Sequence, residues 1–141
     1  MGPAARLSFG WHLWLAARLQ PWEARKRPME ALLAAATPPP GPTPYRGLPA
    51  AEIIESVRRV VAQPWLMRDR RCLRASLLAF RFLRLAGFPA IIHFAIAPPA
   101  PDLLRAHSWV TLNGTCLLDP PEPGMVGLFA WDGELLAPAD G

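Results

Sequence analysis

Proline constrains this chain more than any other residue, because 18 of its 141 positions carry it. A prolyl nitrogen has no hydrogen to donate and its ring fixes φ, so proline is excluded from most helix interiors and central strands. The clusters at 38–49, 98–101 and 120–123 therefore cut the chain into stretches within which the secondary structure must fit. Before the first cluster, residues 4–19 read as a helix, with Leu7, Trp11, Trp14, Leu15 and Arg18 at helical spacing. Pro21 is expected to end or bend it. Residues 28–36 suit a second helix with Pro28 in its first turn, and 37–49 read as a linker or an extended strap.

Between the first two clusters the pattern is helical, then β. Residues 50–62 place Ile53, Ile54, Val57, Val60 and Val61 on one stripe and Glu55, Arg58 and Arg59 on the wet side. Residues 72–86 form the strongest helix, closed by Gly87. Arg70, Arg74, Arg81 and Arg84 lie near one face of it, a face expected to be solvated. Residues 90–96 (AIIHFAI) read as a buried strand. His107–Leu112 and Thr115–Leu118 read as strands around Asn113-Gly114, and 127–136 as a last hairpin through Asp132-Gly133. Helices first and an antiparallel sheet last is an α+β pattern. The length fits one domain over 1–141, with a helical, proline-rich part at 1–49 and a core at 50–141.

Composition excludes several classes of function. With 52% hydrophobic and 18% charged residues, the chain is globular rather than disordered. The net charge of +4 suits an anionic partner. No basic tract with interleaved aromatics appears, so nucleic-acid binding is not expected. Two cysteines make no disulfide scaffold, and no zinc spacing is present. The first 19 residues imitate a signal peptide, but His12 breaks the apolar run and no small-residue cleavage site follows. No apolar run is long enough to span a bilayer, so stable membrane insertion is not expected.

Three residues could carry chemistry together. Cys72 opens a helix beside Arg68, Arg70, Arg71 and Arg74. A helix N-terminus and nearby cations favour thiolate, and the first-turn N–H groups can receive an oxyanion. Taken alone, a free cysteine is more often a small buried hydrophobe. His107 heads a strand, and His12 and His93 compete for its role in principle. Asp119 ends the partner strand just before Pro120, a common setting for a turn aspartate. Register decides whether His107 and Asp119 can meet. A two-residue Asn113-Gly114 turn puts them on opposite faces. A three-residue Leu112-Asn113-Gly114 loop with a bulge at Gly114 sets them opposite each other. A Cys-His-Asp triad requires the second, so the three-residue loop is the expectation. Trp109 shares the His107 face by alternation and is expected to line a substrate cleft. Gln63, nine residues before Cys72, could serve as an oxyanion side chain but reads better as surface.

The segments CLRASLLAFRFLRLAGFPAIIHFAI and AHSWVTLNGTCLLDP resemble the transglutaminase-like cysteine proteins. More narrowly they resemble the microcin-processing leader peptidases of lasso-peptide biosynthesis. The matching positions are Cys72, Leu73, Ser76, Leu77, Gly87, Ala106, His107, Trp109, Val110, Gly114 and Asp119. The likeness is close over 65–123. Ser108 stands where those proteins often have alanine, a departure expected to be harmless, and Thr111 where an acidic residue is frequent.

The resemblance implies a papain-like, transglutaminase-like α+β fold and a cytoplasmic thiol protease. Its reaction is hydrolysis of one peptide bond through a thioester, with no metal or organic cofactor. Lacking strands at its start, the chain looks like the free-standing form. Its implied partners are the precursor's leader, a separate leader-recognition protein and an ATP-dependent macrolactam cyclase. A transglutaminase-like acyl transferase and a non-catalytic scaffold on the same fold are the alternatives.

Overall fold

The computed structural model describes residues 2–24, 29–63, 71–96, 106–118, 120–121 and 124–137. Four helices come first: α1 (Pro3–Ala24), α2 (Met29–Ala36), α3 (Ala50–Val61) and α4 (Arg71–Leu85). Five strands follow: β1 (Ala90–Ile96), β2 (Ala106–Leu112), β3 (Thr115–Leu118), β4 (Val126–Trp131) and β5 (Leu135–Leu136). They form one sheet in the order β3-β2-β1-β4-β5, antiparallel at every pairing. The α+β expectation holds, and each strand sits beside a strand adjacent in sequence except where β4 crosses to the free side of β1.

Helix α4 is the centre of the molecule. It packs on β1 and β2 with one side and on α1, α2 and α3 with the others. Every residue from Arg74 to Phe80 is buried, and Phe82 and Leu83 are fully so. Neighbours on several sides leave the expected arginine face only partly in water: Arg81 and Arg84 are half-buried and Arg74 is buried. Arg74 is only 3% exposed and donates to the Ala17 carbonyl of α1 at 3.0 Å. Arg81 donates to the Ala35 carbonyl at the end of α2, and Arg84 donates twice to the Ala90 carbonyl. Their long stems cover apolar surface while the guanidinium groups find main-chain acceptors.

The end of α4 shows why it stops at Leu85. Gly87 takes φ 89°, a value that costs a side-chain-bearing residue strain. Phe88 N–H donates to the Leu83 carbonyl and Gly87 N–H to that of Arg84, the paired bonds of a glycine-terminated helix. Ala86 N–H serves Phe82, and the Leu85 carbonyl receives Tyr45 N–H from outside the helix. All four terminal carbonyls thus have donors.

Tyr45 belongs to the proline-rich stretch, which the structure shows to be a strap and not a linker. Tyr45 and Leu48 are 5% and 1% exposed. The Tyr45 ring packs with Phe9 of α1 and Phe82 of α4, at centroid separations of 5.1 and 6.0 Å. Its hydroxyl lies 2.6 Å from His12 Nδ1. Burial lowers the His12 pKa from its ordinary 6.5, aided by the Arg81 charge, and so favours the neutral ring in this hydrogen bond.

Helix α1 runs through Pro21 to Ala24, so of the two expectations, an end or a bend, the end is excluded. The reason is on α4. Pro21 has no N–H to give Ala17, four residues back, so that carbonyl lacks its helical partner. The Arg74 guanidinium takes the vacant acceptor. An α1–α3 ion pair, Arg6 with Glu52 at 2.9 Å, aligns the outer helices.

The Arg74 contact predicts a coupling between two substitutions. Arg74→Ala should destabilise the protein by about 2–4 kcal/mol in denaturant titration, because it leaves a buried carbonyl without a donor. In a Pro21→Ala background, residue 21 regains an N–H and the same substitution should cost measurably less. Equal costs in both backgrounds would refute this account.

Candidate active site

The β2–β3 hairpin corrects the expected loop. Leu112 pairs with Thr115, so the turn is the two-residue Asn113-Gly114. Both residues take positive φ, 51° and 82°, as the tight hairpin turn of this length demands. Local preference won, because a distant catalytic need exerts no force on a turn. The bulge lies further along instead. Thr111 pairs with Cys116 but Val110 pairs with Leu118, leaving Leu117 as the extra residue. Arg58 of α3, expected on a wet face, donates to the Leu117 carbonyl at 3.3 Å. Asp119 follows Leu118 and lies outside the described residues, as do Arg68 and Arg70.

Strand alternation divides β2 between the two faces of the sheet. Ser108 and Val110 face α4: Val110 is fully buried, and the Ser108 hydroxyl donates to that of Ser76 on α4 at 3.2 Å. His107 and Trp109 belong to the other face. There Trp109 stacks on His93 of β1, 5.2 Å between centroids and 9° from parallel. It also stacks on His107, at 5.9 Å and 20°. Trp109 is only 9% exposed. It is a plate between two imidazoles, so its direct action is on the His107 ring. An imidazolium at His107 would lie over the indole face, within reach of a cation–π attraction.

Cys72, the second residue of α4, meets this strand at its backbone. The thiol is half-buried. Its Sγ lies 3.1 Å from His107 Nδ1. It donates to the Ser108 carbonyl at 3.1 Å, accepts from Ser108 N–H at 3.4 Å, and lies 3.6 Å from Ser108 Oγ. Two of the three proposed triad residues are therefore in contact. The sulfur is close enough to His107 for direct proton transfer. The first-turn N–H groups of a helix have no carbonyl within it, so the head of α4 carries donors for a developing oxyanion. Arg74, counted in the sequence as part of the cationic setting of Cys72, is committed to α1.

The remaining candidates separate cleanly. His12 is spent on Tyr45. Gln63 is exposed beyond the end of α3. Cys116 is exposed on the hairpin. His93 is 9% exposed, holds Thr111 Oγ1 at 2.7 Å through Nε2, and has a buried Nδ1 with no hydrogen-bond partner. Burial lowers its pKa below the ordinary 6.5 and keeps it neutral. The sequence offers His93 only as a competitor of His107, not as a partner of Trp109. The signal was its cross-strand position opposite Trp109, which becomes visible only once β1 and β2 are in register.

The apolar groove of about 300 Å³ bounded by α1, α2 and α4, with His12, Leu19, Leu32 and Arg81 on its walls, is separate from the thiol.

Matching the sequence against family models aligns residues 7–126 with the Transglutaminase-like superfamily. No curated protein and no solved structure matches.

The two depressed histidines predict the acid limb of the stability curve. A histidine with a folded pKa below its unfolded value binds fewer protons in the folded state. The stability it permits is complete above the unfolded pKa, 6.5 here, and is lost as pH falls from there toward the folded value. The melting temperature should therefore hold from pH 8 to 7 and decline below about 6.5. His93→Phe, which retains a ring against Trp109, should flatten part of that decline. An unchanged slope would remove His93 from the account.

Proposed function

The chain belongs to the transglutaminase-like superfamily, and from that premise we propose that it is a cysteine endopeptidase removing the leader from a ribosomally made lasso-peptide precursor. The observation that carries the proposal is the 3.1 Å contact between Cys72 Sγ and His107 Nδ1 at the head of a helix. The superfamily includes cysteine peptidases, and the sequence resemblance over 65–123 supplies the narrower substrate.

In this reading His107 takes the thiol proton at Nδ1. The thiolate then attacks the scissile carbonyl carbon. The oxyanion forms next to the N–H groups of the first turn of α4. As the tetrahedral adduct collapses, His107 returns the proton to the leaving amine, and an acyl-thioester remains on Cys72. Water, deprotonated by His107, then hydrolyses the thioester, releasing the acid and restoring the thiol.

Asp119 is assigned the carboxylate that orients His107 and stabilises its cation. The assignment requires β3 to run one residue beyond Leu118 in the register set at Val110. Were that register to continue, position 119 would pair with Trp109 and share the face of His107. Trp109 contributes the wall behind His107 on which a bound peptide would close. The whole of 1–141 is read as one peptidase domain, and the partners are a separate leader-recognition protein and an ATP-dependent cyclase. Such a pathway, fed by the ribosome and by ATP, is cytoplasmic. Among the described residues, no helix is long and apolar enough to cross a membrane.

Cleavage of a precursor peptide, followed by mass spectrometry with and without a leader-binding protein, tests the proposal. Cys72→Ala should abolish cleavage and leave the fold intact, while Cys116→Ala should keep most activity. Asp119→Asn should lower kcat by about 10³-fold or more, as loss of an orienting carboxylate does in other triads. Wild-type rates in Cys72→Ala would overturn the cysteine mechanism. Incorporation of an added amine in preference to hydrolysis would assign acyl transfer in its place.

A further inference from the structure

Ser108, expected to be a harmless departure from alanine, lies directly against the thiol. It touches Cys72 Sγ through three of its own atoms: the carbonyl oxygen at 3.1 Å, the amide nitrogen at 3.4 Å and the hydroxyl oxygen at 3.6 Å. The hydroxyl is 3.2 Å from that of Ser76, one turn further along the helix that carries the thiol. Both serines are inside the protein, 3% and 0% exposed. The pair therefore forms a dry bridge from α4 to β2 that ends at the sulfur.

We propose that Ser108 and Ser76 are positioning residues that stabilise the Cys72 thiolate through a two-hydroxyl relay. This rests on the reading of Cys72 as nucleophile and names the groups that ready it. In the thiol state the S–H donates to the Ser108 carbonyl, and the Ser108 hydroxyl donates to Ser76 Oγ. On ionisation the sulfur's proton passes to His107 Nδ1, and the sulfur becomes an acceptor only. The Ser108 hydroxyl then rotates to donate to the thiolate, and the Ser76 hydroxyl rotates to donate to Ser108 Oγ. Each serine keeps its own proton, and no heavy atom has to move. The sulfur anion gains a third donor beside Ser108 N–H and the protonated His107 Nδ1, which offsets the loss of its bond to the Ser108 carbonyl. Hydroxyl rotors suit this task because the same oxygen accepts in one state and donates in the other. Burial makes the arrangement effective, since a hydrogen bond to a charge is stronger where water is absent.

The test reads the sulfur directly and needs no peptide. In a Cys116→Ser background Cys72 is the only thiol, and its alkylation by iodoacetamide is followed from pH 5 to 10. Ser108→Ala should move the midpoint of the rate profile upward by about one pH unit, the scale set by one hydrogen bond to a charge. Ser76→Ala should move it the same way by less, and Ser108→Thr, which keeps a hydroxyl, should restore most of the parent profile. Thermal melts establish that each variant is folded. If Ser108→Ala does not fold, Ser76→Ala decides, since alanine suits a helix interior. Profiles that superimpose on the parent in folded alanine variants overturn the relay. A shifted profile in a protein that never cleaves peptides would sustain the relay and sink the peptidase reading. Peptide cleavage through Cys72 with an unmoved profile would do the reverse.

Discussion

The structure depends on enclosing most of one helix, α4. Helix α4, between the sheet and three other helices, sets Leu77, Leu78, Phe80, Phe82 and Leu83 in the core. Enclosure also removes water from a helix whose termini and arginines need hydrogen-bond partners. Each neighbouring element is arranged to meet that need. The strap gives Tyr45 N–H to the last carbonyl, and Gly87 turns the chain so that its own amides and that of Phe88 serve the others. The arginines reach out to α1, α2 and β1. The proline-rich stretch is ordered in its path by the same requirement, since its one tyrosine closes both the helix end and an aromatic cluster.

The site inherits its geometry from that enclosure. A thiol in the first turn of a fixed helix, pressed against the backbone of a fixed strand, has little freedom to leave His107. The strand's two faces then divide the work. One face grips α4 through Ser108 and Val110, and the other lines up His93, Trp109 and His107 as stacked rings. A single strand thus both anchors the nucleophile's helix and holds the base.

Much of this was legible in the sequence, and the gaps have physical causes. Period and turn chemistry located the helices, the hairpin about Asn113-Gly114 (though not its loop length) and the Asp132-Gly133 hairpin, because those signals are local. Pro21 left an end and a bend both open, because the partner that compensates its missing N–H lies on another helix. The arginines of α4 misled for a related reason: a guanidinium reads as solvent-facing until one knows which carbonyls surround it. The hairpin failed in an instructive way. The bulge expected at Gly114 is absent, and the register shifts instead at Leu117, where no glycine or other turn residue marks it. Cys72 and His107 were readable as residue types in order. Ser108 was not, since a serine beside a histidine carries no message until its hydroxyl is seen next to a sulfur.

The arginine contacts also bear on how the chain can vary. Arg58, Arg74, Arg81 and Arg84 all bind main-chain carbonyls of other elements, Leu117, Ala17, Ala35 and Ala90. A salt bridge has two side chains that must be kept together and an acidic member that titrates. An arginine on a peptide oxygen has one, because every residue type offers the same acceptor. The tie itself does not depend on the acceptor's side chain, although Ala17 and Ala90 are held small by their burial, and acid that neutralises carboxylates leaves it whole. The scaffold around the thiol is therefore joined by links that halve the number of positions at which a substitution can cut them.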